Sequence, residues 1–368
     1  MSSPVDGPGA GVPQRVAILA EGLFTRATAK TAIGALRYAP YPIVAVIDST
    51  RAGTTADEHV GVGRDVPVVR SLDEARRLGA TVLLVGTAAA GGRIPDAYRP
   101  VLARALGAGM AVWNGLHERV LDDPALAGAA RSGRGSVREL REPPAKLPVG
   151  GHRARRDGAR VVLTVGTDAA VGKMTASLEI VAALSRTGQR AAFVATGQTG
   201  IAIAGSGISV DAVVADFIAG AAEQLTCEAA ESADWVVVEG QGSLTHPGFS
   251  GVTLGLLHGS APDLMVLCHE LSRHTVKGHG ESGLPIRPLR DYVRIYEDAA
   301  SWRQPPGYPP ARVVALALNT STTENAEFAM ASIAGAAHET GLEAADPVRE
   351  GHAGADRLAG ALRASVRA

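Results

Sequence analysis

The chain has 368 residues, 46% of them hydrophobic and 20% charged, with a formal net charge of -1; this is the composition of a globular protein long enough for two domains. Aromatic residues make up only 4%, so stacking platforms for nucleic acid are not expected, and the near-zero charge gives no general attraction to nucleic acid or anionic lipid. Two cysteines, Cys227 and Cys268, exclude a disulfide framework and a cysteine-built zinc site, and their apolar contexts read as core packing.

Residues 1–14 are rich in Gly and Pro and lack an apolar core segment, so they read as a disordered tail and not as a signal peptide. No uncharged apolar run is long enough to span a membrane, which makes a cytoplasmic protein with no membrane partner the expectation. Strands and helices then alternate. Residues 15–20 read as a strand, 25–38 as a helix, and 43–47 as a strand ending at Asp48. A helix over 71–78 is capped by Ser71, with Glu74 completing a capping box. A strand over 81–85, a helix over 96–108 closed by Gly109, and a strand over 110–113 complete the series. This alternation predicts an α/β fold whose N-terminal part, 15–145, is a Rossmann-like parallel-sheet domain. Asp48 stands where dinucleotide folds carry a ribose-binding acid. The first turn, Glu21-Gly22-Leu23-Phe24, lacks the Gly-x-Gly-x-x-Gly fingerprint, however, so NAD is not expected. Lys30, which could reach an interdomain cleft, and Asn114, at a strand's carboxyl end, are candidate substrate contacts.

The pattern breaks over 128–160, a stretch rich in Gly, Pro and Arg that includes Arg153-Ala154-Arg155-Arg156. It reads as a solvated linker. Alternation resumes in a second domain, 146–368, with strands at 161–165, 191–195, 235–238, 264–267 and 313–318. Helices are expected at 173–187, 212–232, 325–340 and 355–367, and 269–310 is irregular apart from a helix over 289–300.

The strongest chemical signal opens this second domain, in Val161-Val-Leu-Thr-Val-Gly166-Thr-Asp-Ala-Ala-Val-Gly172-Lys173-Met-Thr175. A β-branched strand enters a loop bounded by Gly166 and Gly172, followed by a lysine and a helix. That is the context of a P-loop, and it predicts a P-loop NTPase-like parallel-sheet domain. Glycines let backbone N–H groups approach phosphate oxygens, the helix N-terminus adds partial positive charge, and Lys173 adds a full one. The chain holds four lysines, Lys30, Lys146, Lys173 and Lys277, among 36 basic residues, so a lysine at this position stands out. Two features depart from the common pattern. Five residues separate the glycines, and Met174 intervenes before Thr175, turning that hydroxyl about 100° further round the helix. The longer loop, with Thr167-Asp168 inside it, resembles that of dethiobiotin synthetase and related amide-forming enzymes.

Further candidates stand at strand ends. Trp235-Val-Val-Val-Glu239 is a buried strand ending in an acid that would face the phosphates and hold a divalent metal together with Thr175. Gln198, Asp211, Asp216 and Gln241 are candidate substrate contacts at the ligand edge of the sheet. Asp211 fits a helix N-cap equally well. Asn319 fits either a nucleotide-reading amide or an N-cap. His269 follows a strand tip and joins Lys173 and Glu239 as a candidate catalytic group. His246, His258, His274 and His279 have no metal-binding spacing.

Taken together these residues resemble a bacterial family, long known only as an uncharacterised domain and now named for D-glutamate N-acetyltransferase. The resemblance spans about 15–367. It rests on Ala29-Lys30-Thr31-Ala32, Val46-Ile47-Asp48-Ser49, Asn114-Gly115-Leu116-His117, Gly166 to Thr175 with its Gly-Lys-Met-Thr form, Asp211-Ala-Val-Val-Ala-Asp216-Phe217, Val238-Glu239-Gly240-Gln241-Gly242 and Leu318-Asn319-Thr320. It implies acetyl transfer from acetyl-CoA to an amino-acid amine such as that of D-glutamate. The P-loop would anchor coenzyme A, Glu239 or His269 would take the amine proton, and N–H groups at 240–242 would stabilise an oxyanion. The residues alone equally support an ATP-dependent ligase or kinase in which Lys173, Thr175 and Glu239 hold ATP with Mg. A non-catalytic nucleotide-binding regulator is a third expectation. In each case the partner is a small molecule, and a homo-oligomer is the expected assembly.

Overall fold

Apolar strands alternating with helices settle into two separate parallel sheets of six strands each. The computed structural model describes residues 14–88, 90–153, 158–279, 283–302 and 309–367. The expected N-terminal tail, but for Gln14, and Ala154, Arg155 and Arg156 of the basic run lie outside the described residues. The chain divides into two compact units between Arg141 and Glu142.

The first unit runs β1 (Val16–Leu19), α1 (Lys30–Tyr38), β2 (Ile43–Ile47), α2 (Asp57–Val60), β3 (Val68–Val69) and α3 (Leu72–Arg77). It continues with β4 (Val82–Val85), α4 (Arg99–Gly107), β5 (Ala111–Asn114), α5 (Pro124–Gly133) and β6 (Ser136–Glu139). Its strand order is β3-β2-β1-β4-β5-β6, the Rossmann arrangement, with the direction of winding reversing between β1 and β4. Central strands such as β1 and β4 are buried at every residue, as strands covered by helices on both faces require.

The second unit begins with β7 (Arg160–Gly166), α6 (Lys173–Arg186), β8 (Ala191–Val194), α7 (Gln198–Ala204), α8 (Ala215–Ala230) and β9 (Trp235–Val238). It ends with α9 (Ser250–Ser260), β10 (Leu264–Glu270), α10 (Leu289–Ser301), β11 (Arg312–Asn319), α11 (Ala326–Thr340), β12 (Glu343–Ala345) and α12 (His352–Arg367). Its order is β12-β11-β10-β7-β9-β8, so β7 is central and lies between β9 and β10. One apolar core gathers Val161, Leu163, Leu267 and Tyr296, and a second gathers Val162, Ile180, Val266 and Leu358. Alternate residues of β7 and β10 thus supply each core. The architecture is the expected one: a Rossmann-like unit followed by a P-loop unit.

Several local expectations need correcting. The stretch expected as a linker contains the end of α5 and all of β6, which pairs in parallel with β5. Helix α1 starts at Lys30, not at 25. Thr28 closes a turn instead, its hydroxyl donating to the Leu23 carbonyl and its N–H to Thr25 Oγ1 at 3.3 Å. Helix α8 starts at Ala215, because Val213 and Val214 are extended. Helix α9 was not expected at all. Its glycines are contact surface: a Cβ on Gly255 would meet Ile218 Cγ2 at 2.5 Å, and one on Gly259 would collide with the Ala219 carbonyl. At α3, Ser71 does accept from Glu74 N–H, but the Glu74 carboxylate accepts from Arg70 N–H at 2.9 Å. Among the described residues no helix is long and apolar enough to cross a membrane.

Candidate functional site

β7 delivers the chain to the middle of the second sheet, and α6 carries it away. Between them Ala170 has φ 61° and Gly172 φ 106°, left-handed values that break the regular alternation of peptide directions. Among the described residues no acceptor takes the N–H of Ala170, Val171 or Gly172. The N–H groups of Lys173, Met174 and Thr175 open α6, where no intrahelical partner exists. A continuous run of amides is thus left for an anion, with the helix dipole behind it.

Lys173 is buried and turns into the loop, where its ammonium donates to the Asp168 carbonyl at 2.8 Å. A Cβ on Gly166 would stand 2.9 Å from that ammonium, and one on Gly240 would collide with the Thr164 carbonyl. Gly240 is therefore required by close packing, and a side chain at position 166 would have to displace Lys173 and Val171. Burial pushes the Lys173 ammonium down from 10.5 to about 8, with Cys268, Asp168 and Glu239 pulling it back up. The first turn of α6 is pinned from below. Ser177 Oγ donates to the Lys173 carbonyl at 3.0 Å and meets Thr164 Oγ1 at 3.0 Å, which accepts from Gly240 N–H at 2.9 Å.

Sheet register then sets the acid. Val238 pairs with Leu163, so Glu239 leaves β9 beside Thr164. It is buried, and its Oε2 accepts from the N–H groups of Thr196 and Gly197 at 3.1 and 3.2 Å. Burial pushes this carboxyl up from 4.5 to about 7, against those N–H donors and the Lys173 charge. On the other side of β7, Cys268 pairs with Gly166, which places His269 next to the loop. His269 Nδ1 lies 2.9 Å from Thr167 Oγ1. Burial drops its pKa from 6.5 to about 4, so the ring is neutral at pH 7.

Asp168 is fully buried, and its Oδ2 accepts from Arg273 Nη1 at 2.8 Å and from Lys277 N–H at 2.7 Å. Asn319 ends β11 against the loop; a Cβ on Gly172 would meet its Cβ at 3.7 Å. Asn319 does not cap a helix, since Asn325 caps α11, and its own Oδ1 accepts from Ser321 N–H at 3.1 Å. Met174 and Thr175 are half-buried in the first turn of α6. Gln241 donates to the Thr196 carbonyl, and Gln198 opens α7. Asp211 sits in a short turn before α8 and does not cap that helix; Asp216 is exposed in the first turn of α8. Lys30 and Asn114 belong to the first unit. Lys30 is exposed, and the Asn114 amide is fully engaged with the Glu118 carbonyl, Glu139 and Leu116 N–H. Of the N–H groups expected to serve an oxyanion, that of Gly240 is committed to Thr164. Among the described residues no group of three or more His, Cys, Asp or Glu side chains is arranged to hold a metal.

Sequence reasoning missed Tyr296. Its buried hydroxyl donates to the Gly166 carbonyl at 2.7 Å and accepts from Leu244 N–H at 3.2 Å, tying α10 to the base of the loop. It also missed Arg273, whose partners are distant in sequence. The amphipathic pattern of α10 was the available signal for Tyr296; Arg273 carried none.

Comparison with known proteins gives the same two-part division. Residues 49–143 match the DUF1611 N-terminal Rossmann-like domain, and residues 148–359 match the DUF1611 P-loop domain, both described as domains of unknown function. A protein of Tritonibacter scottomollicae named D-glutamate N-acetyltransferase is 38% identical over 80% of this chain and 84% of its own. One of the same name from a Pseudoalteromonas species is 37% identical over 76% of this chain and 82% of its own. The crystal structure of a DUF1611 family protein from Anabaena variabilis superposes with a TM-score of 0.87 at 42% identity, covering 95% of this chain and 99% of that one. The chain belongs to the DUF1611 family.

Proposed function

We propose, from membership of that family, that this chain is an N-acetyltransferase that moves an acetyl group from acetyl-CoA to the amine of a small amino acid such as D-glutamate. The observation that carries this reading is the run of uncommitted amides from Ala170 to Thr175 around a buried lysine. Such a cradle fits the pyrophosphate of coenzyme A. The names of the two relatives supply the acyl group and the acceptor.

Acetyl-CoA would supply an acyl carbon already activated as a thioester. The loop amides, Lys173 and the Asn319 edge would hold its phosphates, and Gly166 and Gly172 would keep side chains out of their way. Glu239, with a pKa near 7, is poised to take the proton that an ammonium must lose before its nitrogen attacks. His269, neutral at pH 7, is the second base. With Nδ1 engaged by Thr167, its Nε2 is the atom left for substrate. The test is to supply acetyl-CoA with D-glutamate, L-glutamate or other amino acids and to follow free thiol. Thiol release that needs an amino acid and no ATP supports the proposal; none with any amino acid refutes it.

A second reading keeps one observation of its own. Glu239 stands at the tip of the strand next to β7, where the acid of an ATP-using P-loop enzyme would help place Mg. Thr175 and Glu239 would then serve Mg with ATP. ADP release dependent on a small carboxylate or amine would select that ligase or kinase over the acetyltransferase.

A further inference from the structure

We propose that Lys277 is a second anion-binding cation of this site, holding a phosphate of the ligand that lies outside the loop. This rests on the phosphate-binding reading of the loop and adds a residue to it.

The segment after β10 is fastened to the P-loop itself. Arg273 places Nη1 on Asp168 at 2.8 Å and Nη2 on Glu270 at 2.6 Å. The Lys277 N–H donates to the same Asp168 oxygen as Arg273, at 2.7 Å. The Lys277 carbonyl is fixed as well. His246 Nδ1 accepts from Gly248 N–H at 3.0 Å, so its Nε2 carries the hydrogen and donates to Lys277 O at 3.2 Å. Both backbone groups of Lys277 are held, and its side chain is exposed.

Three cations thus adjoin the loop, and they differ in what they are free to do. Lys173 is inside it. Arg273 is spent on two carboxylates. Lys277 has no carboxylate within ion-pair distance among the described residues. A buried Asp168 inside an anion site would oppose binding, and Arg273 offsets it. Lys277 is then the positive charge left over at the rim. A lysine suits that place, because its flexible stem lets a compact charge follow a phosphate that is not fixed by the loop. In a chain with four lysines among 36 basic residues, two of the four are bound to this loop, one by side chain and one by backbone. Coenzyme A has the required chemistry: a pyrophosphate for the loop and a separate ribose phosphate for the rim.

The test is equilibrium binding of coenzyme A, 3′-dephospho-coenzyme A, pyrophosphate and tripolyphosphate to the full chain and to Lys277→Ala, Lys277→Arg and Lys173→Ala. Lys277→Ala should weaken coenzyme A or tripolyphosphate about tenfold, as loss of one charge-assisted contact does. It should leave 3′-dephospho-coenzyme A and pyrophosphate within about twofold, and Lys277→Arg should restore most of the loss. Equal affinity of Lys277→Ala and the parent for all four probes, or equal weakening of all four, overturns the proposal. Failure of the underlying acetyl-CoA reading looks different. The parent would then bind coenzyme A no better than pyrophosphate, while the tripolyphosphate comparison would still decide the role of Lys277.

Discussion

The two sheets of this chain start alike and end differently. Each has six parallel strands, a central first strand and an acid at a strand tip, Asp48 in one and Glu239 in the other. The turn after β1 is partly closed on itself and buries no lysine. Leu23 N–H bonds to Ala20 O, Thr25 N–H to Leu23 O, and the Glu21 carboxylate takes the N–H and hydroxyl of Ser49. In the turn after β7 the N–H groups of Ala170, Val171 and Gly172 take no acceptor among the described residues, and a lysine is buried beside them. A parallel sheet therefore brings a loop to the same edge in both units, and the local backbone and side chains decide what that loop offers. What sets the second turn apart is a buried lysine beside N–H groups that take no acceptor among the described residues, with Gly240 packed too closely to carry a side chain.

The sharpest way to break this contrast is to remove the charge. Lys173→Met should weaken phosphate-bearing ligands about 100-fold in a binding titration. It should leave thermal stability unchanged or higher, because a buried ammonium gives way to an apolar side chain of similar volume. Retained affinity would erase the difference between the turns.

The pH dependence should also come from the second sheet. Glu239 must lose a proton near pH 7 to act as a base, and Lys173 loses its charge near pH 8. The kcat/KM profile of an acetyl transfer should therefore be a narrow bell that falls towards tenfold per pH unit on either side. The effects on stability have the opposite sense. Glu239 binds its proton more tightly folded than unfolded, so its contribution falls as pH rises from 4.5 to 7. Lys173 binds its proton less tightly folded, so its contribution rises from pH 8 to 10.5. A profile centred well outside 7 to 8 would count against both assignments.

A matched pair of glycines refines the comparison. Gly22 has φ 67° and Gly172 φ 106°, and a Cβ on either meets nothing closer than 3.7 Å. Gly22→Ala and Gly172→Ala should each cost about 1–2 kcal/mol of stability from the left-handed backbone alone. Only Gly172→Ala should also weaken the ligand. The smallest effect is expected at Tyr296→Phe, which leaves the Gly166 carbonyl and Leu244 N–H without that partner. It should cost about 1–2 kcal/mol in denaturant unfolding, with binding reduced only modestly.

Much of this was legible in the chain because the signals were local. The β-branched run into Gly166 and the spacing to Gly172-Lys173 lie within a few residues of each other, as do the apolar strand and acid at Trp235–Glu239. Helix α9 was illegible, because its glycines at 255 and 259 read as loop residues until the neighbouring α8 is known to press against them. β6 was hidden in an Arg- and Gly-rich stretch, since a short edge strand needs little apolar character. Asp211 and Asn319 each fitted two roles, and the cap in each case depended on where the next helix began. The Arg273–Asp168 pair spans distant parts of the chain, so no pattern of spacing announces it.

The most direct test of the central claim is a crystal structure of the protein with coenzyme A. Phosphate oxygens should lie within hydrogen-bond reach of the N–H groups of Ala170 to Thr175, with the Lys173 ammonium moved from the Asp168 carbonyl onto the ligand. A ligand bound elsewhere, with the loop amides untouched and Lys173 still on Asp168, would contradict it.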